Sequence, residues 1–155
     1  MADWLMKTEP DVFGIDVLQR KQTEHWDGVR NFQARNHMRA MKLGDRVLFY
    51  HSSCDPPGVA GLARVCREAY PDFTSWDPKS KYYDPRSTAE TPLWSMVDVE
   101  FVEKFPRLVP LDEMRRTPGL DDMLLLRRGM RLSVQPVTPG HFDLICRLAR
   151  GPAPG

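Results

Sequence analysis

The sequence of 155 residues lacks the features of a membrane or secreted protein. No apolar run exceeds four residues, as in Met123–Leu126, whereas a membrane-spanning helix needs about 20. The N-terminal residues show no basic region followed by an apolar stretch, so no signal peptide is predicted. We therefore expect a protein of the cytosol, or of the nucleus in a eukaryote, with no membrane partner.

Cysteine is scarce, and its spacing argues against both disulfides and metal. Cys54, Cys66 and Cys146 are odd in number and far apart, and no Cys-x-x-Cys or paired histidine motif is present. Such spacing is atypical of a disulfide framework or a zinc site. We expect three reduced thiols, no metal and no cofactor.

Excess charge of one sign is also missing. Lysine and arginine number 22 against 21 aspartate and glutamate residues, which gives a net charge of +1. This balance excludes a strongly basic nucleic-acid binder, so a polyanion would have to meet a local patch. The hydrophobic fraction of 41% is close to that of globular proteins. One domain over residues 1–150 is expected, with a disordered tail at 151–155.

The residues that are present predict a mixture of strands and short helices. Apolar, β-prone or alternating segments indicate strands at 4–6, 46–51, 59–66, 97–102 and 131–135. Helical spacing indicates helices at 11–20, 34–42 and 139–148. The stretch 70–92 is rich in proline, aspartate and aromatic residues without either period, which is typical of a long functional loop. This pattern favours an α+β domain, most simply a small barrel with helices at its rim.

The most unusual segment is 26–36. It combines Trp26 and Phe32 with two arginines, two asparagines and a glutamine, so flat apolar faces lie beside donors and acceptors suited to a base edge. A core role for Trp26 with solvated arginines is the alternative, and both interpretations stay open here.

Other polar and aromatic side chains are also candidates for contact with a base. Tyr50, His51 and Ser52 end a strand, and the long loop carries Tyr82, Tyr83 and Asp84. Strand ends line the mouths of small barrels, and aromatic side chains stack on single-stranded bases. Structural roles are the alternative for each of these residues.

Two basic clusters are candidates for phosphate contacts, and one pair is a candidate for acid and base chemistry. Arg35, Arg39 and Lys42 form a stripe along a predicted helix, and Arg127, Arg128 and Arg131 form a second cluster.

Motifs of serine hydrolases, cysteine nucleophiles and phosphate-binding glycine loops are absent. Lys7 and Glu9 are the nearest approach to a catalytic pair.

Several segments resemble the EVE domain family, of the PUA-like superfamily, in order along almost the whole chain. They are WLMKTEP at 4–10, WDGVRNFQARNHMRAMKLGD at 26–45, VLFYHS at 47–52, AYPD at 69–72, YYD at 82–84 and RLSVQPVT at 131–138. Thr8 stands where many relatives carry serine, a change that keeps the hydroxyl group.

The resemblance implies a PUA-like bent β-barrel with flanking short helices, which recognises a modified base in DNA or RNA turned out into a pocket. The implied pocket residues are Lys7, Thr8, Trp26, Val29, Arg30, Asn31, Tyr50, His51, Ser52, Tyr82, Tyr83, Asp84, Arg131, Leu132 and Ser133. Arg35, Arg39 and Lys42 are the expected phosphate contacts.

The leading hypothesis is a non-catalytic reader of a flipped or single-stranded modified nucleotide. Trp26 would stack on the base, Asn31 and Thr8 would read its edge, and Arg30 would join the phosphate contacts. Two alternatives remain. One is a small amidohydrolase-like enzyme that acts on modified nucleosides through Lys7 and Glu9, and the other is a protein-interaction module.

Overall fold

A computed structural model describes residues 1–151 and contains one mixed sheet of six strands. The strands are β1 (Asp3–Thr8), β2 (Thr23–His25), β3 (Arg46–His51), β4 (Gly58–Pro71), β5 (Ser95–Pro110) and β6 (Val134–Val137). Their order is β2-β5-β4-β3-β1-β6, with β1 and β3 parallel and the other pairs antiparallel. The α+β prediction is confirmed. Within residues 1–151 no ladder joins β2 to β6, so the sheet is open rather than a closed barrel.

Five short helices flank the sheet within residues 1–151. They are α1 (Pro10–Phe13), α2 (Ile15–Lys21), α3 (Phe32–Ala40), α4 (Leu111–Arg115) and α5 (Pro139–Arg150), and two 3₁₀ turns lie at Phe73–Trp76 and Leu124–Leu126. The single helix predicted at 11–20 is interrupted because Gly14 is extended. Helix α5 begins as predicted, since the Thr138 side chain accepts a hydrogen bond from the His141 N–H. Of the predicted tail, residues 152–155 lie outside the described residues.

Two hydrophobic clusters cover the sheet, and strand alternation separates them. On β3, Val47 and Phe49 belong to the first cluster, whereas Leu48 and Tyr50 belong to the second. Because neighbouring strand residues point to opposite faces, the two clusters lie on opposite faces of the sheet at β3. Helix α3 packs in the first cluster, and α5 packs in the second.

The two long strands bend through bulges. The pairing of β4 with β5 shifts register at several places, one of them at Gly61. A Cβ on Gly61 would meet the Glu103 carbonyl oxygen and the Ile15 side chain, so only glycine permits this close approach. Such bulges bend a strand and increase its local twist.

The predicted loop at 70–92 begins later than expected, because β4 continues to Pro71. Its internal hydrogen bonds make it an ordered element. The Ser75 and Ser87 hydroxyl groups lie 2.8 Å apart in the interior, and the Asp84 N–H donates to the Ser75 carbonyl at 2.8 Å. The loop therefore presents a fixed surface to the residues that follow β2.

Candidate nucleic-acid interface

A cleft of about 580 Å³ opens where the ends of β1 and β3 meet the segment after β2 and the long loop. Nine of the residues implied by the resemblance line it, namely Lys7, Thr8, Trp26, Val29, Arg30, Ser52, Tyr82, Arg131 and Ser133. The other lining residues are Glu9, Val12, Asp27, Gly28, Ser53, Lys81 and Met130. Residues from five separate parts of the sequence thus share one concave surface.

Trp26 forms part of the cleft floor rather than an open stacking platform. Its side chain is only 5% exposed, and its ring contacts those of Phe13 and Phe49 edge-on at 5.4 and 5.3 Å between centroids. Its backbone N–H donates to the Val97 carbonyl at 2.8 Å. The indole is therefore a core residue that also borders the cleft, and its contact with a base stays a prediction.

Arg30 is only partly exposed, at 22% of its side chain, and its guanidinium is engaged by other groups of the protein. Its guanidinium donates to the Asp72 carboxylate at 2.9 Å, to the Tyr82 carbonyl at 2.8 and 3.0 Å, and also to the Val29 carbonyl and the Thr74 hydroxyl. A guanidinium has five N–H donors in a fixed plane, and these bonds occupy its nitrogen atoms. Within the fold, this side chain fastens the long loop to the segment after β2, and the phosphate role of Arg30 stays a prediction.

Gly28 completes this attachment. It has φ of +80°, and its N–H donates to Asp72 at 2.9 Å. A Cβ at this position would lie 2.6 Å from the Tyr82 ring. Only glycine combines the left-handed backbone with this close ring contact. We call Gly28, Arg30, Asp72 and Tyr82 the anchored wall of the cleft.

Two ionisable side chains in the cleft have pKa values shifted by burial. Burial lowers the pKa of Lys7, whose ammonium lies 5.7 Å from the centroid of the Tyr50 ring. Burial raises the pKa of Asp27, a direction reinforced by Asp72 and opposed by His25. In both cases removal of water disfavours the charged form. The cleft therefore contains one poorly solvated donor and one poorly solvated acceptor.

Two residues predicted for the pocket lie elsewhere. Tyr50 is 3% exposed and belongs to the second hydrophobic cluster, and burial raises its pKa to about 12. His51 accepts a hydrogen bond from the Ile15 N–H at 3.2 Å, where α2 begins. Burial lowers the pKa of His51, which favours the neutral ring that this bond requires. Tyr50 lies beside Lys7 of the paired strand but is covered within the second hydrophobic cluster, and His51 is turned toward the start of α2.

Four further predicted pocket residues have local structural contacts outside the cleft. The Asn31 side chain caps α3 by accepting from the Ala34 N–H at 2.9 Å. Leu132 packs against the first hydrophobic cluster. Tyr83 is exposed and Asp84 is partly buried, and both line a neighbouring depression of about 220 Å³. The contacts of Arg86 and Trp94 hold the pKa of Asp84 below its usual range.

The basic stripe also lies apart from the cleft lining, with Arg35 and Arg39 on α3 and Lys42 just after the end of that helix. Arg35 donates to the Leu93 carbonyl at 3.0 Å, and Arg39 donates to the Ser95 hydroxyl at 2.9 Å, while Lys42 is exposed. The exposed cations that border the cleft are Lys81 and Arg131. Lys81 carried no local signal in the sequence, because its position depends on the fold of the long loop.

Among residues 1–151, no three His, Cys, Asp or Glu side chains gather in an arrangement that could hold a metal ion. The helices of the same residues include none long and apolar enough to cross a membrane.

Comparison with known proteins places the chain in a family. Human thymocyte nuclear protein 1 is 47% identical over 166 residues, which cover 95% of this chain and 73% of the relative. The crystal structure of a Pseudomonas syringae protein has a TM-score of 0.93 and 46% identity, covering 96% of this chain and 99% of that one. The human protein (THYN1), crystallised in complex with DNA containing 5-methylcytosine, has a TM-score of 0.90 and 44% identity, covering 98% and 99%. Residues 2–148 match the EVE domain, and the chain belongs to the EVE domain family.

Proposed function

We propose that the chain binds DNA through one modified base, with 5-methylcytosine as the first candidate, and that this base lies in the cleft beside Trp26. The observation that carries the proposal is the cleft itself, about 580 Å³ in volume and bordered by that indole. Pockets for small molecules are typically about 300 to 1,000 Å³, a range that accommodates one nucleotide. The human relative crystallised with DNA containing 5-methylcytosine supports the choice of ligand.

The proposed mode of binding is non-catalytic recognition of a base that has left its stack. Extrusion costs a few kcal/mol, which contacts in the cleft must offset. Val12, Val29 and Met130 supply apolar surface in the same cleft as the indole, where a methyl group would be buried.

We also propose that the bent sheet and its flanking helices belong to the PUA-like class. The name of the vertebrate relatives supports a nuclear location in eukaryotes.

The expected contacts to the sugar-phosphate backbone come from the cleft edge. Lys81 and Arg131 are exposed, belong to two different loops, and form no ion pair with any described residue. Free cations of this kind position a nucleic acid and make its affinity depend on salt. They replace Arg30 in the proposed recognition.

The test is a titration of oligonucleotides that differ only in one base, cytosine or 5-methylcytosine, in DNA and in RNA. One methyl group in a fitted pocket is worth about 1 to 3 kcal/mol, so we expect about 10- to 200-fold tighter binding of the modified strand. Equal affinity for both strands would contradict the proposal. A stronger preference in RNA would move the substrate class from DNA to RNA.

A cleft-filling variant tests the location of the base. Ser133→Tyr adds a ring to the cleft lining, and Thr91→Tyr adds the same group to an exposed position in the long loop. We expect Ser133→Tyr to weaken binding by at least about tenfold, because a decrease of about 1.4 kcal/mol in binding free energy has that effect. Thr91→Tyr should bind as the unmodified protein does. Unfolding midpoints of both variants establish that the fold is intact.

One observation favours a second function, hydrolysis of a modified nucleoside. Lys7 lies in the cleft with its pKa lowered by burial, as general bases often are. The predicted pairing with Glu9 is not formed among the described residues, since Glu9 is exposed and has no ion pair with Lys7. Incubation with acylated nucleosides and mass analysis of the products tests this function. Turnover that is abolished in Lys7→Ala would establish it.

A further inference from the structure

Two neighbouring carboxylates of the cleft region differ sharply in their surroundings. Asp72 is fully buried and accepts hydrogen bonds from the Gly28 N–H, the Arg30 guanidinium and the Thr74 N–H, each at 2.9 Å. Its negative charge is balanced inside the protein. Asp72 is therefore a structural group with no capacity left for a ligand.

Asp27 borders the open cleft and lacks such partners. Its side chain is 28% exposed, and no hydrogen bond from another residue of the described chain reaches its carboxylate. The His25 ring lies beside it, with Nε2 3.5 Å from the carboxylate and Nδ1 3.1 Å from Glu24. Asp27 thus combines partial loss of water with an incomplete set of donors.

A carboxylate that is partly buried and has few hydrogen-bond donors around it favours a ligand that carries such a donor. A buried polar group costs free energy unless it forms a hydrogen bond, and a charged acceptor forms stronger bonds than a neutral one. An ionised carboxylate can only accept. The part of a base that faces Asp27 must therefore carry an N–H group.

We propose that Asp27 is a specificity-determining residue whose carboxylate accepts a hydrogen bond from the exocyclic amino group of a cytosine-type base. Carboxylates accept from the cytosine N4 amino group, whereas thymine has a carbonyl oxygen at that position, which repels a carboxylate. This inference rests on the proposed function, because it requires a base in the cleft.

Lys7 supports a pyrimidine that carries both a donor and an acceptor. Its ammonium also borders the cleft, and no carboxylate of the described residues lies within ion-pair distance of it. Cytosine offers an amino donor together with a carbonyl acceptor, whereas adenine offers no carbonyl group. A base whose position 4 faces Asp27 and whose ring carbonyl faces Lys7 therefore matches cytosine, whereas thymine has a carbonyl oxygen at position 4 and adenine has no carbonyl group.

The test compares single-stranded oligonucleotides that carry one 5-methylcytosine or one thymine at the same position. The two bases share the 5-methyl group and differ at position 4, and single strands remove any difference in base pairing. We expect about 5- to 150-fold tighter binding of the 5-methylcytosine strand, the range of one good base contact. Asp27→Asn should bring this ratio close to 1, because an amide can also donate to the thymine carbonyl.

Asp112→Asn is the matched control. It makes the same change of charge at an exposed carboxylate on α4 that does not border the cleft, and the ratio should stay at the value of the unmodified protein. An unchanged ratio in Asp27→Asn, or no discrimination by the unmodified protein, would overturn the inference while base binding itself stands. Absence of binding to every strand would overturn the proposed function together with it.

A change in the ligand tests the same contact without any variant. A strand that carries 5-methyl-2-pyrimidinone keeps the methyl group and the ring carbonyl but lacks the amino group. The unmodified protein should bind this strand about 5- to 150-fold more weakly than the 5-methylcytosine strand. Equal affinity would overturn the role of Asp27 even if Asp27→Asn failed to fold.

Discussion

The anchored wall and the open side of the cleft use the same residue types for different purposes. In the anchored wall, the charges of Arg30 and Asp72 are paired with each other and with backbone groups. On the open side, Lys7, Lys81 and Arg131 have no ion pair with any described residue, and Asp27 has only its contact with His25. The internal pairing of a charge therefore separates residues that build the cleft from residues available to a ligand.

This difference is not visible from the identity of the residues. Asp27 and Arg30 lie three positions apart in one segment, and both residue types are common in contacts with nucleic acids. Arg30 is held by partners about 40 to 50 residues later in the chain, as in its bond to Tyr82. Complete hydrogen bonding in a low dielectric gives the wall a fixed shape, whereas an unpaired group keeps an unfavourable energy that a ligand can relieve.

The largest effect is expected from breaking the anchored wall. Asp72→Ala leaves the Arg30 guanidinium without its carboxylate. Removal of one partner of a buried pair costs about 3 to 5 kcal/mol, and because the Arg30 side chain is 22% exposed we expect the lower end, about 3 kcal/mol. We expect the free energy of unfolding, measured by urea denaturation, to fall by that amount. Asp112→Ala, at an exposed position on α4, should change it by less than about 0.5 kcal/mol. Equal stability of the two variants would contradict the structural role of Asp72.

A smaller effect is expected from Gly28→Ala, which tests the contact between the backbone and the Tyr82 ring. The added Cβ meets that ring at 2.6 Å in a left-handed backbone, so we expect the free energy of unfolding to fall by roughly 1 to 3 kcal/mol. Gly140→Ala is the control, because nothing lies within 4 Å of its Cβ position in α5. That change should raise stability by roughly 0.5 to 1 kcal/mol, as alanine favours helices. A stable Gly28→Ala would show that Tyr82 is free to move.

Changes on the open side should alter binding and leave the fold intact. The double variant Lys81→Ala and Arg131→Ala should reduce the slope of log affinity against log salt by about 1 for each phosphate that is no longer neutralised. Stability should change by less than about 0.5 kcal/mol. Lys79→Ala with Arg147→Ala removes two exposed cations that do not border the cleft. The same slope in both double variants would place the phosphate contacts elsewhere.

The smallest effect is expected in the pH dependence of the free energy of unfolding, to which Asp27 contributes. Because burial raises its pKa above the ordinary value of 3.8, the folded state binds the proton more tightly, and stability falls as pH rises through that window. Asp27→Asn removes this cost and should stabilise the protein at neutral pH by up to about 0.5 kcal/mol. The gain should vanish below pH 3.8. The ionisable neighbours of Asp27 are His25, Glu24 and Asp72, and they are the same in the unmodified protein and in Asp27→Asn. The difference in stability between the two proteins therefore reports on Asp27 itself.

Much of the fold follows from local sequence. The apolar run from Arg46 to His51 is a strand with the predicted bounds, and Thr138 caps α5 as predicted. The break at Gly14 was not predicted, since the apolar spacing continues across it. The length of β4 and β5 was underestimated, because their bulges interrupt the alternation that identifies a strand.

The candidate site was predictable as a set of segments but not as a set of roles. The segments at Lys7, Trp26, Tyr82 and Ser133 meet at one cleft, as the resemblance implied. The burial of Tyr50 depends on the side chains that pack around it in the second hydrophobic cluster. The lack of hydrogen-bond donors at Asp27 depends on which distant residues reach its carboxylate. Such facts arise from tertiary contacts, which local patterns do not contain.

A crystal structure of this protein with a duplex containing one 5-methylcytosine tests the central claim most directly. The account predicts that the methylated base lies outside the duplex, in the cleft between the Trp26 indole and the anchored wall, with its amino group toward Asp27. A methylated base that stays paired in the duplex, with the cleft free of nucleic acid, would contradict it.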